Sequence, residues 1–504
     1  MSRRARRLPR APRRARSAGA RAALLAALAA ALALSGLVVA TPASAATRQA
    51  VTRAAPLVDA RHPGRHHTAQ RPTPKQKPRP KRKPKPKPVW SPTDGTVFNY
   101  PFSPRARDRF RIRRHVLAAV EFSPPGARIR LATFTFVDEK LTRALIAAHR
   151  RGVSTQVLVN GRDVRLSPPF HHLRTALGHS LHGRPRTSPE LASFARTCTF
   201  SCRGTRGNLH SKIFLFSQVG RTRWVSMVGS PNLTQFAAEG QWNHLDTITG
   251  RATYRRLRRV FDQMRRDRPL RHPFERFRTS KAVGWVFPRP FTTPLNDPML
   301  GILGKIGCRA TPRTGVAVQP RPGRKHRKHR TGPTSARAAA KHPAPGKPRH
   351  TVVRQPVTRR TVIRIAMYAW FDVRGNTLAR AVRQKWNQGC DVRILYSVLN
   401  GKVKRILYNP SGRGPIPMRR VGVPGALGDV VDYNHSKYLA VNGSYAGAGR
   451  QLVWTGSMNF TQLGLTSDDI IVRLDSRTVY RAYLRNFRRV WHGPDVAVPL
   501  PVRS

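Results

Sequence analysis

"YNHSKYLAVN" (residues 433–442) has the aliphatic content of a buried β-strand but carries an imidazole and an ammonium, His435 and Lys437, two positions apart. Side chains at i and i+2 of a strand share a face. A buried lysine beside a histidine is costly unless an anion is there to be bound. The oddity recurs as "NLHSKIFLFS" (208–217), with His210 and Lys212. Some 17 to 19 residues past each lysine comes a Gly-Ser-x-Asn turn, "GSPNLTQ" (229–235) and "GSMNFTQ" (456–462). Chance His-x-Lys pairs are common in a basic chain. Two of them, each with its own turn, mark a repeat.

The flanks repeat as well. "ARIRLATFTF" (127–136) reads as a strand, "EKLTRALIAAHRRG" (139–152) as an amphipathic helix and "STQVLVN" (154–160) as a second strand. "TVIRIAMYAWF" (361–371), "TLARAVRQKWNQG" (377–389) and "DVRILYSVLN" (391–400) follow the same order. Alternating strands and helices predict parallel βαβ units with helices outside the sheet. "VFNYPFSP" (97–104) resembles "VFPRPFTTP" (286–294), each opening its half. The expected fold class is α/β: two fused repeats with mixed sheets flanked by helices, related by a pseudo-two-fold. The first half is placed at 95–284 and the second at 285–498.

The rest of the 504 residues reads as tails and an insertion. The cationic start "MSRRARRLPRAPR", the Ala/Leu run from Arg21 to Ala40 and the Ala43-Ser44-Ala45 pattern predict a signal peptide over 1–45, cleaved before Ala46. The run is nearly long enough to span a bilayer, so an uncleaved anchor is the rival reading. Arg3-Arg4 leaves a twin-arginine route open. Residues 46–94, with "RPTPKQKPRPKRKPKPKPVW" at 71–90, predict an extended, disordered Pro/Lys-rich linker. Residues 311–350 predict a disordered basic insertion, with His326 and His329 as solvated members of the tract.

Of the net charge of +73, residues 1–90 hold +21 and residues 309–360 hold +15, which leaves +37 on the rest. The folded part is therefore basic too, and favours anionic partners: phospholipid surfaces, nucleic acid or wall polymers. Export makes disulfides plausible. Cys198–Cys202 would close a local loop, and Cys308–Cys390 would tie two segments that each lead into a strand. Zinc is the rival, but no metal-type Cys/His spacing surrounds either pair.

If the halves pack about a pseudo-two-fold, His210, His435, Lys212, Lys437, Asn232 and Asn459 converge. That set suits a phosphodiester. The lysines and asparagine amides would hold the non-bridging oxygens. The turn glycines, with Ser230 and Ser457, would let the backbone approach the phosphate. One neutral imidazole would attack phosphorus while the other, protonated, serves the leaving oxygen. This scheme needs no metal and no cofactor.

The duplicated His-x-Lys with Gly-Ser-x-Asn resembles the phospholipase D superfamily over roughly 95–495, the insertion excluded. The resemblance implies a duplicated α/β sandwich and a two-step, metal-independent reaction through a phosphohistidine. It makes His210 the nucleophile and His435 the general acid. The family's motif continues to an aspartate, which here is Ser217 and Asn442; both can hydrogen-bond and neither is charged. A further acid past each turn usually orients an imidazole in the family. Asp469 fits that role, beside Asp468, which reads equally as an exposed strand-end charge. In the first half Asp246 fits before Glu239. An acid so placed fixes the ring's tautomer. His171-His172 reads as a loop pair, and "MYAWF" as core in preference to a cleft lining.

The leading reading is a secreted, monomeric phospholipase D with a phospholipid membrane surface as substrate. The rivals are a secreted nuclease of the same superfamily and a non-catalytic protein that binds phosphate or anionic cell-wall polymer.

Overall fold

A computed structural model describes residues 89–162, 164, 167–181, 191–293, 296–308, 360–424, 430–493 and 497–499. The expected signal peptide, nearly all of the linker and the 311–350 insertion lie outside the described residues. The last linker residues are ordered: Trp90 packs edge-on against His115, with ring centroids 5.3 Å apart.

Two mixed sheets form the frame. The first contains β1 (Gly95–Phe98), β2 (Arg128–Thr133), β3 (Ser154–Asn160), β4 (Phe194–Cys198), β5 (Ile213–Val219), β6 (Thr222–Gly229) and β7 (His244–Thr249). Their order is β1-β7-β6-β5-β2-β3-β4, and β2, β3 and β4 run parallel. The second contains β8 (Glu275–Arg278), β9 (Val283–Val286), β10 (Val362–Trp370), β11 (Asp391–Leu399), β12 (Met418–Val421), β13 (Lys437–Tyr445), β14 (Ala448–Gly456), β15 (Ile470–Asp475) and β16 (Ala497–Pro499). Its order is β8-β9-β15-β14-β13-β10-β11-β12-β16. In both sheets the strand that follows His-x-Lys, β5 or β13, lies between a βαβ strand and a hairpin partner.

The expected repeat is therefore real, with β1 beside β7 as β9 is beside β15. The hairpin of β8 and β9 spans the expected 284/285 boundary and joins the second sheet whole. Local chemistry explains the helices. In α1 (Glu139–Arg150), Asp138 accepts the Leu141 N–H as an N-cap, and Leu141, Leu145 and Ile146 fill one face. Gly152, at φ 84°, lets the chain leave this helix for β3. The helix expected at 377–389 starts earlier and runs Asp372–Asn387, our α2 by order of introduction. The strand expected at 127–136 ends at Thr133, and Phe136–Val137 pairs instead with Leu233–Thr234 beside the first turn.

One helix per half packs against both sheets at once: α3 (Arg251–Met264) and α4 (Arg477–Trp491). The α3 face of Tyr254, Leu257, Phe261 and Met264 shares a cluster with Leu215 and Val228 of the first half and Ile470 and Val472 of the second. Burial of each such side chain stabilises by about 1.5–3 kcal/mol, so the join between the halves is itself core.

The chain corrects the expectation that histidine and lysine share a regular strand face. Strand pairing in the sheets begins only at Ile213 and Lys437. The residues just before cross to the other half: Leu209 bridges Asp468, and Tyr433–Asn434 pairs in parallel with Gln241–Trp242. Each histidine thus sits where one half is stitched to the other.

The turn glycines have a steric cause. A Cβ on Gly229 would lie 2.2 Å from the His244 carbonyl oxygen, and one on Gly456 2.1 Å from that of Ile470. The φ of 143° at Gly456 is also disfavoured for other residues. Gly456→Ala is expected to lower the unfolding free energy by about 1–3 kcal/mol, measured by urea denaturation; an unchanged midpoint would contradict this packing.

Candidate active site

Backbone bonds across the join place both histidines. His210 N–H donates to the Asp468 carbonyl at 3.0 Å, and Asp468 N–H to that of Asn208 at 2.9 Å. His435 N–H donates to the Trp242 carbonyl at 2.9 Å. The rings are then held from the opposite half. His210 Nδ1 lies 3.0 and 3.1 Å from the two Asp469 carboxylate oxygens, and Ser457 Oγ donates to Asp469 Oδ1 at 2.5 Å. His435 Nδ1 lies 3.0 Å from Asn243 Oδ1, which accepts Ser230 Oγ–H at 2.8 Å. The two halves build the same serine-to-histidine relay with different middle members.

Lys212 and Lys437 are both buried, at 0% and 2% exposure. Each ammonium donates to the carbonyl of its own histidine at 2.6 Å, and each lies over an aromatic ring. Lys212 is 5.5 Å from the centroid of Phe134 and Lys437 4.9 Å from that of Tyr368. Such contacts offset part of a cation's desolvation.

The electrostatics show convergence. Burial depresses the His435 pKa well below its usual value, and the charges of Lys437 and Lys212, then His210 and His244, push the same way. Burial also lowers His210, with Lys212 and Lys437 adding to it, while the Asp469 carboxylate opposes. Lys437 is pushed well below the ordinary ammonium value by burial and then by Lys212, against Asp469. Groups from both halves therefore share one field. Two lysines, two imidazoles and one facing carboxylate leave a surplus of positive character that an anion relieves.

The other expected residues divide. Asn232 and Asn459 each keep a buried Oδ1 without a hydrogen-bond partner. Ser230 and Ser457, expected at the phosphate, give their hydroxyl protons to Asn243 and Asp469. Asp246 does not orient an imidazole. It accepts from Thr96 at 2.5 Å, Thr455 at 3.1 Å and Tyr483 at 2.7 Å, and burial raises its pKa to about 6 against those hydrogen bonds. Glu239 pairs instead with Gln235.

Asp468 is no exposed strand-end charge. It is fully buried, accepts from Ser201 Oγ at 3.0 Å, and pairs with Arg203 Nε at 2.9 Å. Arg203 is itself fully buried and also donates to the Phe287 carbonyl. Cys198–Cys202 and Cys308–Cys390 are disulfides, the first closing the loop that leads into Arg203. His171 and His172 are exposed on the helix Pro168–Leu177, not in a loop. Ser217 and Asn442 stand five residues beyond the lysines, about 17 Å along a strand, where Ser217 Oγ accepts the Arg128 N–H at 2.8 Å.

Sequence reasoning missed Asn243, Arg203, Phe134, Tyr368 and Tyr433. The repeat held a signal for the first: Asn243 follows Ser230 by 13 residues, as Asp469 follows Ser457 by 12. Tyr368 was read as core; it is only partly buried, stacks on Tyr433 at 4.8 Å and meets His435 edge-on at 5.0 Å.

The family described as cardiolipin synthase, PLD-like domain, matches the chain twice, over residues 122–265 and 358–491. Those matches cover more than half of the chain, which belongs to this family and so to the phospholipase D superfamily, as a duplicated member of phosphodiesterase type. A mitochondrial cardiolipin hydrolase of Xenopus tropicalis is 30% identical over 122 residues, which is 24% of this chain and 51% of that protein. The chain thus spans about half the length of this curated relative. Among solved structures, the phosphatidylserine synthase of Haemophilus influenzae aligns at 10% identity and TM-score 0.43, covering 78% of this chain and 86% of that one. Nuc, a phospholipase D family member from Salmonella typhimurium, aligns at 16% identity and TM-score 0.26, covering 35% of this chain and 96% of that one.

The Arg203–Asp468 pair gives the site a testable support. Arg203→Met leaves a buried carboxylate uncompensated next to Asp469, and such losses cost about 3–5 kcal/mol. Urea denaturation is expected to show a loss of that size; a change below about 1 kcal/mol would mean the pair behaves as a surface ion pair.

Proposed function

We propose that this protein is an exported phosphodiesterase that hydrolyses phospholipid head groups at an anionic surface. One observation carries the reading: His210 and His435 come from two sequence repeats, yet each ring is held from the opposite repeat, by Asp469 and Asn243, beside a buried lysine of its own motif. Similarity to a cardiolipin hydrolase favours a lipid phosphodiester. The basic character of the folded part supports adsorption to a membrane surface. The two disulfides fit an oxidising compartment.

The chemistry proceeds in two displacements. Lys212 and Lys437, with the amides of Asn232 and Asn459, take the non-bridging oxygens and their developing charge. His210 Nε2 attacks phosphorus while Asp469 holds the Nδ1 proton. The bond from phosphorus to the leaving oxygen breaks, and His435 gives that oxygen a proton. Water then attacks the phosphohistidine, with His435 taking its proton, and His210 leaves as the neutral ring. The phosphate monoester is the product, and atoms and charges balance over the cycle.

The test gives the purified protein, in excess EDTA, phosphatidylcholine vesicles, phosphatidylglycerol vesicles and plasmid DNA. Head-group release is expected, abolished by His210→Ala and lowered about 10²–10⁴-fold by His435→Ala. Cleavage of DNA alone would make the protein a nuclease. Binding of vesicles with no turnover of any substrate would overturn the enzymatic reading.

A further inference from the structure

The two relays differ at one atom position. In one, Ser457 and His210 meet the carboxylate of Asp469; in the other, Ser230 and His435 meet the amide of Asn243. The orientation of that amide is set by its neighbours. Asn243 Nδ2 donates to the Ala237 carbonyl at 2.9 Å and faces Gln241 Oε1 at 3.4 Å. Ser230 Oγ accepts the His244 N–H at 3.1 Å and donates its own hydrogen to Asn243 Oδ1 at 2.8 Å. Asn243 N–H in turn donates to Asn99 Oδ1 at 2.7 Å, and Asn99 Nδ2 is tied to the Ala237, Ala238 and Gln241 carbonyls. A flipped amide would lose the Nδ2 bond to the Ala237 carbonyl and turn its NH₂ toward Ser230 and His435 in place of the accepting oxygen. The oxygen therefore faces His435, and only an Nδ1–H ring can answer it.

We propose that Asn243 is a positioning residue that fixes His435 as the Nδ1–H tautomer and withholds the counter-charge that Asp469 gives His210, so that His435 becomes charged only while a phosphate occupies the site. This rests on the reading of the site as a phosphodiesterase centre. The groups facing His435 agree with it. Lys437 follows on its own segment, Lys212 and His210 come from the first repeat, His244 comes from β7, and Tyr433 and Tyr368 contribute neutral rings. None of these supplies a negative charge. A bound phosphodiester does, and it lies where the leaving oxygen needs the proton. The resting site then presents two neutral rings, and the acid is made by the substrate. In the second displacement His435 is again neutral, as its role as base requires.

The sign of the consequence follows. A general acid works in its protonated form, so activity falls as pH rises through the His435 pKa in the complex. An opposing carboxylate within 4–6 Å raises a histidine pKa by about 1–3 units. Asn243→Asp, nearly isosteric, is expected to move the alkaline limb of kcat upward by about that amount, while His435→Gln removes the limb. The ring is read independently by ¹⁵N-histidine NMR of the full chain, with His435→Gln assigning its signals. We expect Nδ1–H in the wild type, a rise in the His435 titration on adding inorganic phosphate, and a rise without phosphate in Asn243→Asp. A His435 titration equal in wild type and Asn243→Asp, or an Nε2–H ring, would overturn the assignment. Absence of turnover on every phosphodiester contradicts the enzymatic reading alone, because the NMR titration decides Asn243 by itself.

Discussion

The hydrogen bond between the His210 ring and the Asp469 carboxylate joins residues 259 positions apart and belongs to neither half alone. It requires that Asp468 pair its backbone with Asn208 and His210, which in turn requires the strand at Ile470 to lie under the first repeat's motif. Arg203 and Ser201 pin Asp468 from behind. The glycine of the second turn lets β14 and β15 approach closely enough for Ser457 to reach Asp469. Each feature of the join can be followed back to that contact. A histidine that is to act through Nε2 needs its tautomer fixed at Nδ1, and the fixing group is in the other repeat.

The same constraint explains why two lysines survive in a dry interior. An ammonium out of water costs several kcal/mol unless it is compensated. Here carbonyl oxygens 2.6 Å away and an aromatic face under each cation contribute to that compensation. On the proposed reading, a ligand of opposite sign draws on both cations as a reserve of positive charge. A phosphodiester has one negative charge in the ground state and gathers more on its non-bridging oxygens in the transition state, so the reserve is released most fully there.

Much of this was legible in the residues. The two His-x-Lys fragments, their turns and the βαβ order were enough to read a duplicated α/β fold and its six central polar side chains. What escaped followed from the fold's three-dimensional closure. The histidines were read as strand residues because i and i+2 spacing cannot show a chain leaving its sheet to pair with the other half. A search for an acid by charge finds Asp246 and Glu239 and passes over Asn243, whereas the repeat's spacing marks a position. Asp468 looked like a free strand end because Arg203, its partner, lies 265 residues away with no motif around it. Ser217 and Asn442 stand at the family's aspartate position, and in the structure the Ser217 hydroxyl accepts the Arg128 N–H.

The central claim is that His210, held by a carboxylate from the other repeat, is the nucleophile and His435 is not. The direct measurement is peptide mass spectrometry of the protein quenched in alkali during turnover of a phosphatidyl substrate, conditions that preserve phosphohistidine. The account predicts a phosphatidyl adduct on the peptide containing His210 and none on the peptide containing His435. An adduct on His435, or turnover with neither histidine modified, would contradict it.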